Sequence, residues 1–218
     1  LGMYYMSSWI SQQDMGKASF QALDAMSLLD VSFTDATYTN QTLATIAQVA
    51  LSQAGIVKYS LDSSLSNITV TATISGQTCR NILAWIATAA CLTLYIDING
   101  VLTIGALSAT IHDFIIDYAN SQKPKASLDD QLKSITIGYG DNLTVSQTYN
   151  SAGQEISITD NPFITTVDRA NAVLAWLAAY YQRRKNYQND WRQNPVVEPG
   201  DIIQIQTDYG TPNAQIIS

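Results

Sequence analysis

His112 is the only histidine in this chain of 218 residues, and it limits what nucleophilic chemistry is open to it. A serine or cysteine nucleophile needs a base beside it to take its proton. Any Ser–His or Cys–His pair would therefore have to use His112, in Thr110-Ile111-His112-Asp113. A catalytic triad is a relation in space, not in sequence, so Asp113 next door adds little, and His112 reads as a structural residue on a strand-like run. Cys79 and Cys91 form no C-x-x-C pair, and flanks such as Ala89-Ala90-Cys91-Leu92 are apolar. Both are expected to be free thiols in the interior. One histidine and two distant cysteines do not make a tetrahedral zinc set. Neither G-x-x-x-x-G-K-[ST] nor G-x-G-x-x-G occurs, and Gly138-Tyr139-Gly140 lacks the third glycine and the following helix. Asp129-Asp130 has the makings of a cation site or half a glycosidase pair, yet reads as a solvated loop. The two glutamates, Glu155 and Glu198, lie outside any apolar segment that would raise a carboxyl pKa. No catalytic residue, cofactor or metal is assigned, and the chain is not read as an enzyme.

The charges point away from nucleic acid. Eleven Lys and Arg against 18 Asp and Glu leave a formal net charge of −7, which repels a phosphate backbone. The one basic cluster, Arg183-Arg184-Lys185 with Arg169 and Arg192 nearby, is expected to end a helix, where cations favour the negative pole of its dipole. Charged residues make up 13% of the chain, about half the usual share, and Ser, Thr, Asn and Gln take their place. Such a surface suits a protein packed against other subunits. No apolar run reaches the roughly 18 residues of a membrane-spanning helix, and no signal peptide is visible. Asn40-Gln41-Thr42, Asn67-Ile68-Thr69 and Asn142-Leu143-Thr144 match the glycosylation pattern as chance products of an Asn- and Thr-rich chain. The Leu1-Gly2 start and the Ile216-Ile217-Ser218 end, inside a strand pattern, read as the bounds of a piece of a longer protein.

The elements follow from periodicity. Met3–Ile10 reads as a strand, Gly16 as a turn and Lys17–Ala22 as the returning strand. A short helical piece then carries Leu23, Met26 and Leu28 or Leu29 on one face, with Asp24 at its start. Residues 34–41 read as a polar turn. Leu43, Ile46, Ala47, Ala50, Leu51 and Ala54 mark an amphipathic helix, with Gly55 at the left-handed position after it. Thr69–Ile74 is a strand ended by Gly76. Thr78 caps a second helix that buries Ile82, Leu83, Ile86, Ala87 and Ala90, with Trp85 to one side. Leu92–Ile104 is a hairpin. A two-residue Asn99-Gly100 loop would mix polar and apolar side chains on both faces. A three-residue loop opened by Asp97, with Gly100 left-handed, pairs Ile96 with Leu102 and Leu94 with Ile104 and gives one apolar face. Lys123-Pro124-Lys125 reads as a loop in an irregular stretch, and residues 134–158 as an antiparallel meander. A third helix from about Thr166 carries Ala170, Val173, Leu174, Leu177, Ala178 and Tyr181. The Pro199-Gly200 turn leads into strand Ile202–Gln206.

This order gives an α+β fold: a split antiparallel β-rich domain, residues 1–40 and 107–218, interrupted by a small two-helix α/β-sandwich unit at 41–106. Aromatics gather near both ends of the chain. Tyr4, Tyr5, Trp9, Tyr187 and Trp191 are the candidate interface residues, since aromatics are enriched where proteins meet; Tyr180 and Tyr181 lie in the same group.

Taken in order, several of these segments resemble the baseplate hub and tail-tip proteins of phage and prophage tails. They are Tyr4-Tyr5-Met6-Ser7-Ser8-Trp9 leading to Phe20-x-Ala22-x-Asp24-x-Met26-x-x-Leu29-Asp30; Thr42-Leu43-x-x-Ile46-Ala47 with Ala54-Gly55-Ile56; Cys79-Arg80-x-x-Leu83-x-x-Ile86-Ala87 with the Leu94–Ile104 hairpin; and Asn161-Pro162-Phe163-Ile164, the Ala170–Tyr181 helix, Trp191-Arg192-x-Asn194-Pro195 and Pro199-Gly200-Asp201. The resemblance implies a structural part of a virion tail, assembled in the host cytoplasm, that docks with other tail and baseplate subunits. In the full-length protein it implies a homo-oligomer, a trimer, with no active site in this part. The other reading is a periplasmic secretion or receptor module, which the 67–106 stretch also resembles; the β-rich segments around that stretch argue against it. A wall hydrolase would require His112 or a carboxylate pair to line a cleft.

Overall fold

The computed structural model describes residues 5–12, 17–97, 99–107, 111–119, 121–190, 197 and 200–216; the side chains of 7, 9–12, 17, 18 and 112–114 lie outside that description. The chain folds into two compact units, 1–106 with 161–165, and 107–160 with 166–218. The stretch 1–40, which the sequence reading grouped with 107–218, lies in the first unit together with 41–106.

The first unit opens with β1 (Tyr5–Gln12) and β2 (Lys17–Leu23), a two-stranded antiparallel ribbon. Asp24 then caps a 3₁₀ turn, Ala25–Leu29, by accepting from Met26 N. Leu23 ends the strand, so the helical face expected from it belongs to Ala25 and Leu29, which are buried. The polar turn expected at 34–41 is instead β3 (Ala36–Thr42), antiparallel to β5 (Thr69–Ile74). Its side chains are largely exposed, so no apolar alternation announces it. A bulge between Tyr38 and Gln41, with Asn40 at φ 50°, breaks the register.

The block that follows matches its sequence pattern closely. Thr42 caps α1 (Leu43–Gln53) by accepting from Thr45 N, and Gly55 follows at φ 70°. Leu43, Ile46, Ala47, Ala50 and Leu51 are buried. Val70, Ala72 and Ile74 form the buried face of β5. Thr78 caps α2 (Cys79–Ala89), which buries Cys79, Ile82, Leu83, Ile86, Ala87 and Ala89. Between them lies β4 (Tyr59–Leu61), which pairs parallel with β7 (Leu102–Gly105). In the hairpin of β6 (Thr93–Ile96) and β7, Leu94 pairs with Ile104 and Ile96 with Leu102, the register expected. Gly100 N–H donates to Asp97 O, and Gly100 takes φ 70°, the left-handed conformation that closes the loop. Asp97 Oδ1 also accepts from Asn99 N and Val101 N.

The unit is completed from far along the chain. Residues 161–165 bring fully buried Phe163 and Ile164 into it. Asn161 Nδ2 donates to Trp85 O at 2.9 Å, and Asn161 Oδ1 accepts from Phe163 N at 3.0 Å. Trp85, expected to face a different element, is thus tied through its carbonyl to this segment.

In the second unit, β8 (Ile111–Ile116) runs parallel to β14 (Ile202–Ile205), which pairs with β15 (Asn213–Gln215). Ile116, Ile203 and Ile205 form a buried cluster. β9 (Lys125–Leu128) pairs with β13 (Lys185–Gln188), so the expected Lys123-Pro124-Lys125 loop ends at Lys125. β10 (Leu132–Tyr139) and β11 (Leu143–Thr148) form the expected hairpin. β12 (Gln154–Ile158) departs from a meander: it lies on the far side of β10, and parallel to it. Hydrogen bonds at the start of β10 hold this crossing. Lys133 O accepts from Tyr149 N and Asn150 N, Asn150 Nδ2 donates to Leu132 O, and Gln131 O accepts from Gln154 N. Gly153 passes so close that a Cβ there would lie 1.9 Å from Gln131 O. Thr166 caps α3 (Val167–Tyr181), whose buried residues Ala170, Val173, Leu174, Leu177 and Ala178 follow the expected stripe. α3 packs on β10 and β11.

Two substitutions test these dependencies. Phe163→Ala should cost about 3–5 kcal/mol, the usual range for emptying a buried aromatic site, measured as a lower urea midpoint. Gly153→Ala should cost more than the ~1–3 kcal/mol of ordinary overpacking, because the obstacle is a backbone carbonyl that also accepts a hydrogen bond. A melting temperature equal to that of wild type would show that the 149–153 crossing relaxes freely.

Candidate assembly surfaces

The groups singled out for chemistry do not converge. Among the described residues no three His, Cys, Asp or Glu side chains are placed to hold a metal ion. Cys79 is buried and Cys91 half-buried. Burial pushes the Cys79 thiol up, which makes it a poor nucleophile. Cys91 takes the left-handed conformation at φ 59° just after α2, a backbone role the sequence did not signal. Asp129 and Asp130 are exposed; Asp129 N donates to Arg184 O, and Arg184 Nε donates back to Asp129 O. The side chain of His112 lies outside the described residues. No described helix is long and apolar enough to cross a membrane.

The basic cluster follows α3 rather than ending it. Arg183 and Arg184 come after the cap residue Gln182, and Lys185 begins β13. Arg183 donates to Gln215, and Lys185 Nζ lies 5.3 Å from the centre of the Tyr187 ring. Each of these three cations is committed to a local partner.

The carboxylates with a displaced pKa are all shifted downward, each by hydrogen bonds it accepts. Arg80 grips Asp30 through Nε–Oδ1 at 2.5 Å and Nη2–Oδ2 at 2.8 Å, with Nη2 also donating to Met26 O. This fork holds the Asp30 carboxyl below its ordinary range and ties the Ala25–Leu29 turn to α2. Asp35 is lowered by Ser75 Oγ and Gly76 N, and Asp62 by Ser64. Lys133 lowers Glu155, while Lys123 and Tyr118 lower Asp208. These carboxylates act as charged clasps and turn caps, not as acids held protonated for proton transfer.

Of the five candidate aromatics, Tyr4 and Trp191 lie outside the described residues, as does the side chain of Trp9. Tyr5 is exposed on β1. Tyr187 is half-buried against the Ile116–Ile203–Ile205 cluster. Larger apolar exposures lie at residues outside that group of five. On the ribbon, Met6 is 69% and Phe20 74% exposed, and Leu23, paired with Tyr5, is exposed too. On β8, an outer strand of its sheet, Ile111 is 68% and Ile115 44% exposed. The available signal was apolar residues recurring on both faces of a short strand, which a free strand cannot bury.

These two units, with their open mixed sheets and three α-helices among the described residues, define an α+β fold found in the tail proteins of phages and prophages. No family model and no curated protein matches the chain in sequence. Among solved structures, a tail protein from Neisseria meningitidis MC58 aligns over 97% of this chain and 72% of its own, with TM-score 0.68 and 12% identity. The 43 kDa tail protein of prophage MuSo2 from Shewanella oneidensis aligns over 94% and 70%, with TM-score 0.66 and 17% identity. Prophage tail protein gp18 from Listeria monocytogenes EGD-e aligns over 98% and 71%, with TM-score 0.62 and 13% identity. At such identities the likeness is one of fold.

The Asp30–Arg80 clasp makes a pH prediction. Its carboxyl is lowered in the folded state, so its contribution is present above the unfolded pKa of roughly 4 and fades as pH falls through the folded pKa. The melting-temperature gap between wild type and Asp30→Asn should therefore be widest near neutrality and narrow as the pH falls below the unfolded pKa. A gap independent of pH would mean that the pair stabilises by shape alone.

Proposed function

We propose that this chain is a structural module of a phage or prophage tail, belonging to the baseplate hub or tail tip, where it joins subunits and catalyses nothing. The observation that carries the reading is the coverage of the fold likeness, 94–98% of the chain in three tail proteins. A likeness confined to the 67–106 stretch would have favoured a secretion or receptor module. The partners under this reading are other tail and baseplate subunits and further copies of the chain, as a trimer in the full-length protein, and the location is the virion tail. The net charge of −7 suits a surface that nucleic acid does not adhere to. The exposed apolar strands suit a protein that meets its partners by sheet and side-chain contact.

Deleting the coding sequence from a phage genome that carries it should leave filled heads without complete tails in electron micrographs. A labelled copy supplied in trans should restore tails and mark their tip. Normal, infectious tails without the chain would overturn the tail reading; label along the shaft would overturn the tip placement.

A further inference from the structure

We infer that Asn99 is a site of self-modification: the main-chain nitrogen of Gly100 attacks its side-chain amide, and Lys58 promotes the attack by polarising the peptide between them. This inference is independent of the tail reading and rests on one loop of the first unit.

Asn99-Gly100 is the only Asn-Gly step in the chain. A glycine in second place has no Cβ to shield its nitrogen. The step lies in the loop between β6 and β7. Asn99 is exposed, and its side-chain amide has no hydrogen-bond partner among the described residues. The main chain around it is held: Asn99 N donates to Asp97 Oδ1 at 2.9 Å, and Gly100 N to Asp97 O at 2.9 Å. β4 runs parallel to β7 with Tyr59 opposite Leu102, which brings Lys58, the residue before β4, alongside the loop. Lys58 Nζ donates to Asn99 O at 2.6 Å. Lys58 forms no ion pair with a described carboxylate.

Asn99 O belongs to the same peptide unit as Gly100 N. An ammonium group on that oxygen favours the negative charge that spreads over the unit when hydroxide takes the N–H proton. The nitrogen then bonds to Asn99 Cγ, the Cγ–Nδ2 bond breaks, and Nδ2 leaves as ammonia with a proton from water. Water opens the resulting succinimide at either carbonyl, giving aspartate or isoaspartate. The bond from Gly100 N–H to Asp97 O must open before the proton leaves, so the fold sets the pace while Lys58 raises the acidity of the freed N–H. Either product puts a carboxylate beside Asp97 Oδ1, which already accepts from Asn99 N and Val101 N. Isoaspartate also adds a main-chain carbon to a loop whose length sets the Ile96–Leu102 register. Leu102 and Ile104 are buried, and β7 pairs with β4 on one side and β6 on the other. The modification therefore weakens the core of the first unit.

Peptide mapping by mass spectrometry after incubation in mildly alkaline buffer tests this. The full chain should exchange NH2 for OH at Asn99 faster than at any other described asparagine, and the aged chain should melt below fresh protein. Lys58→Gln should slow the exchange about two- to fivefold, the worth of one exposed charge contact, at a temperature where circular dichroism shows both chains folded. In concentrated urea, where the contact between Lys58 and Asn99 is gone, the two chains should react at the same rate. Three results overturn the inference: a native chain whose Asn99 stays intact while the unfolded chain reacts, a Lys58→Gln chain as fast as wild type in native buffer, or a Lys58 effect that persists in urea.

Discussion

Main-chain hydrogen bonding is the constraint on which this architecture depends. With few charges to place, the chain holds its elements by pairing backbone groups across long sequence distances. Phe33 N reaches Gln77 O, Cys79 N reaches Val31 O, Leu43 N reaches Ile68 O and Asp62 N reaches Ile104 O, each between 2.8 and 2.9 Å. Short polar side chains complete the pattern at helix starts, where Thr42, Thr78 and Thr166 each accept one of the amides that a helix leaves unpaired. A buried backbone group without a partner costs as much as a lost hydrogen bond, so these links fix where loops can run.

Ion pairs are secondary. Arg80–Asp30, Lys133–Glu155 and Lys123–Asp208 are all substantially exposed, and such pairs contribute little each. Arg80 matters more for geometry than for energy, since its fork also takes Met26 O and so sets the Ala25–Leu29 turn against α2. The apolar stripes of the helices and the buried faces of β5 and β7 supply the driving force.

Identities of 12–17% across nearly the whole chain fit this division of labour. Stripe, cap and turn are demands on residue class, and many sequences meet them.

The sequence by itself determined the local parts. The stripes of α1, α2 and α3 were legible because a helix that buries one face repeats its apolar residues every three or four positions, and the Thr78 cap of α2 was legible beside them. The Leu94–Ile104 register was legible because one loop length gives an apolar face and the other does not. Tertiary structure alone decided the rest. β3 was hidden because an exposed strand needs no apolar alternation and is a strand only when β5 is beside it. The parallel placement of β12 depends on a crossing over Gln131 that no local pattern records. Residues 161–165 look like a break in the chain, and only folding shows that Phe163 and Ile164 complete a core begun far upstream. The candidate surface followed the same rule: its aromatics could be counted in the sequence, but whether Tyr187 faces its own core or solvent, and whether β8 has a neighbour, are questions of long-range contact.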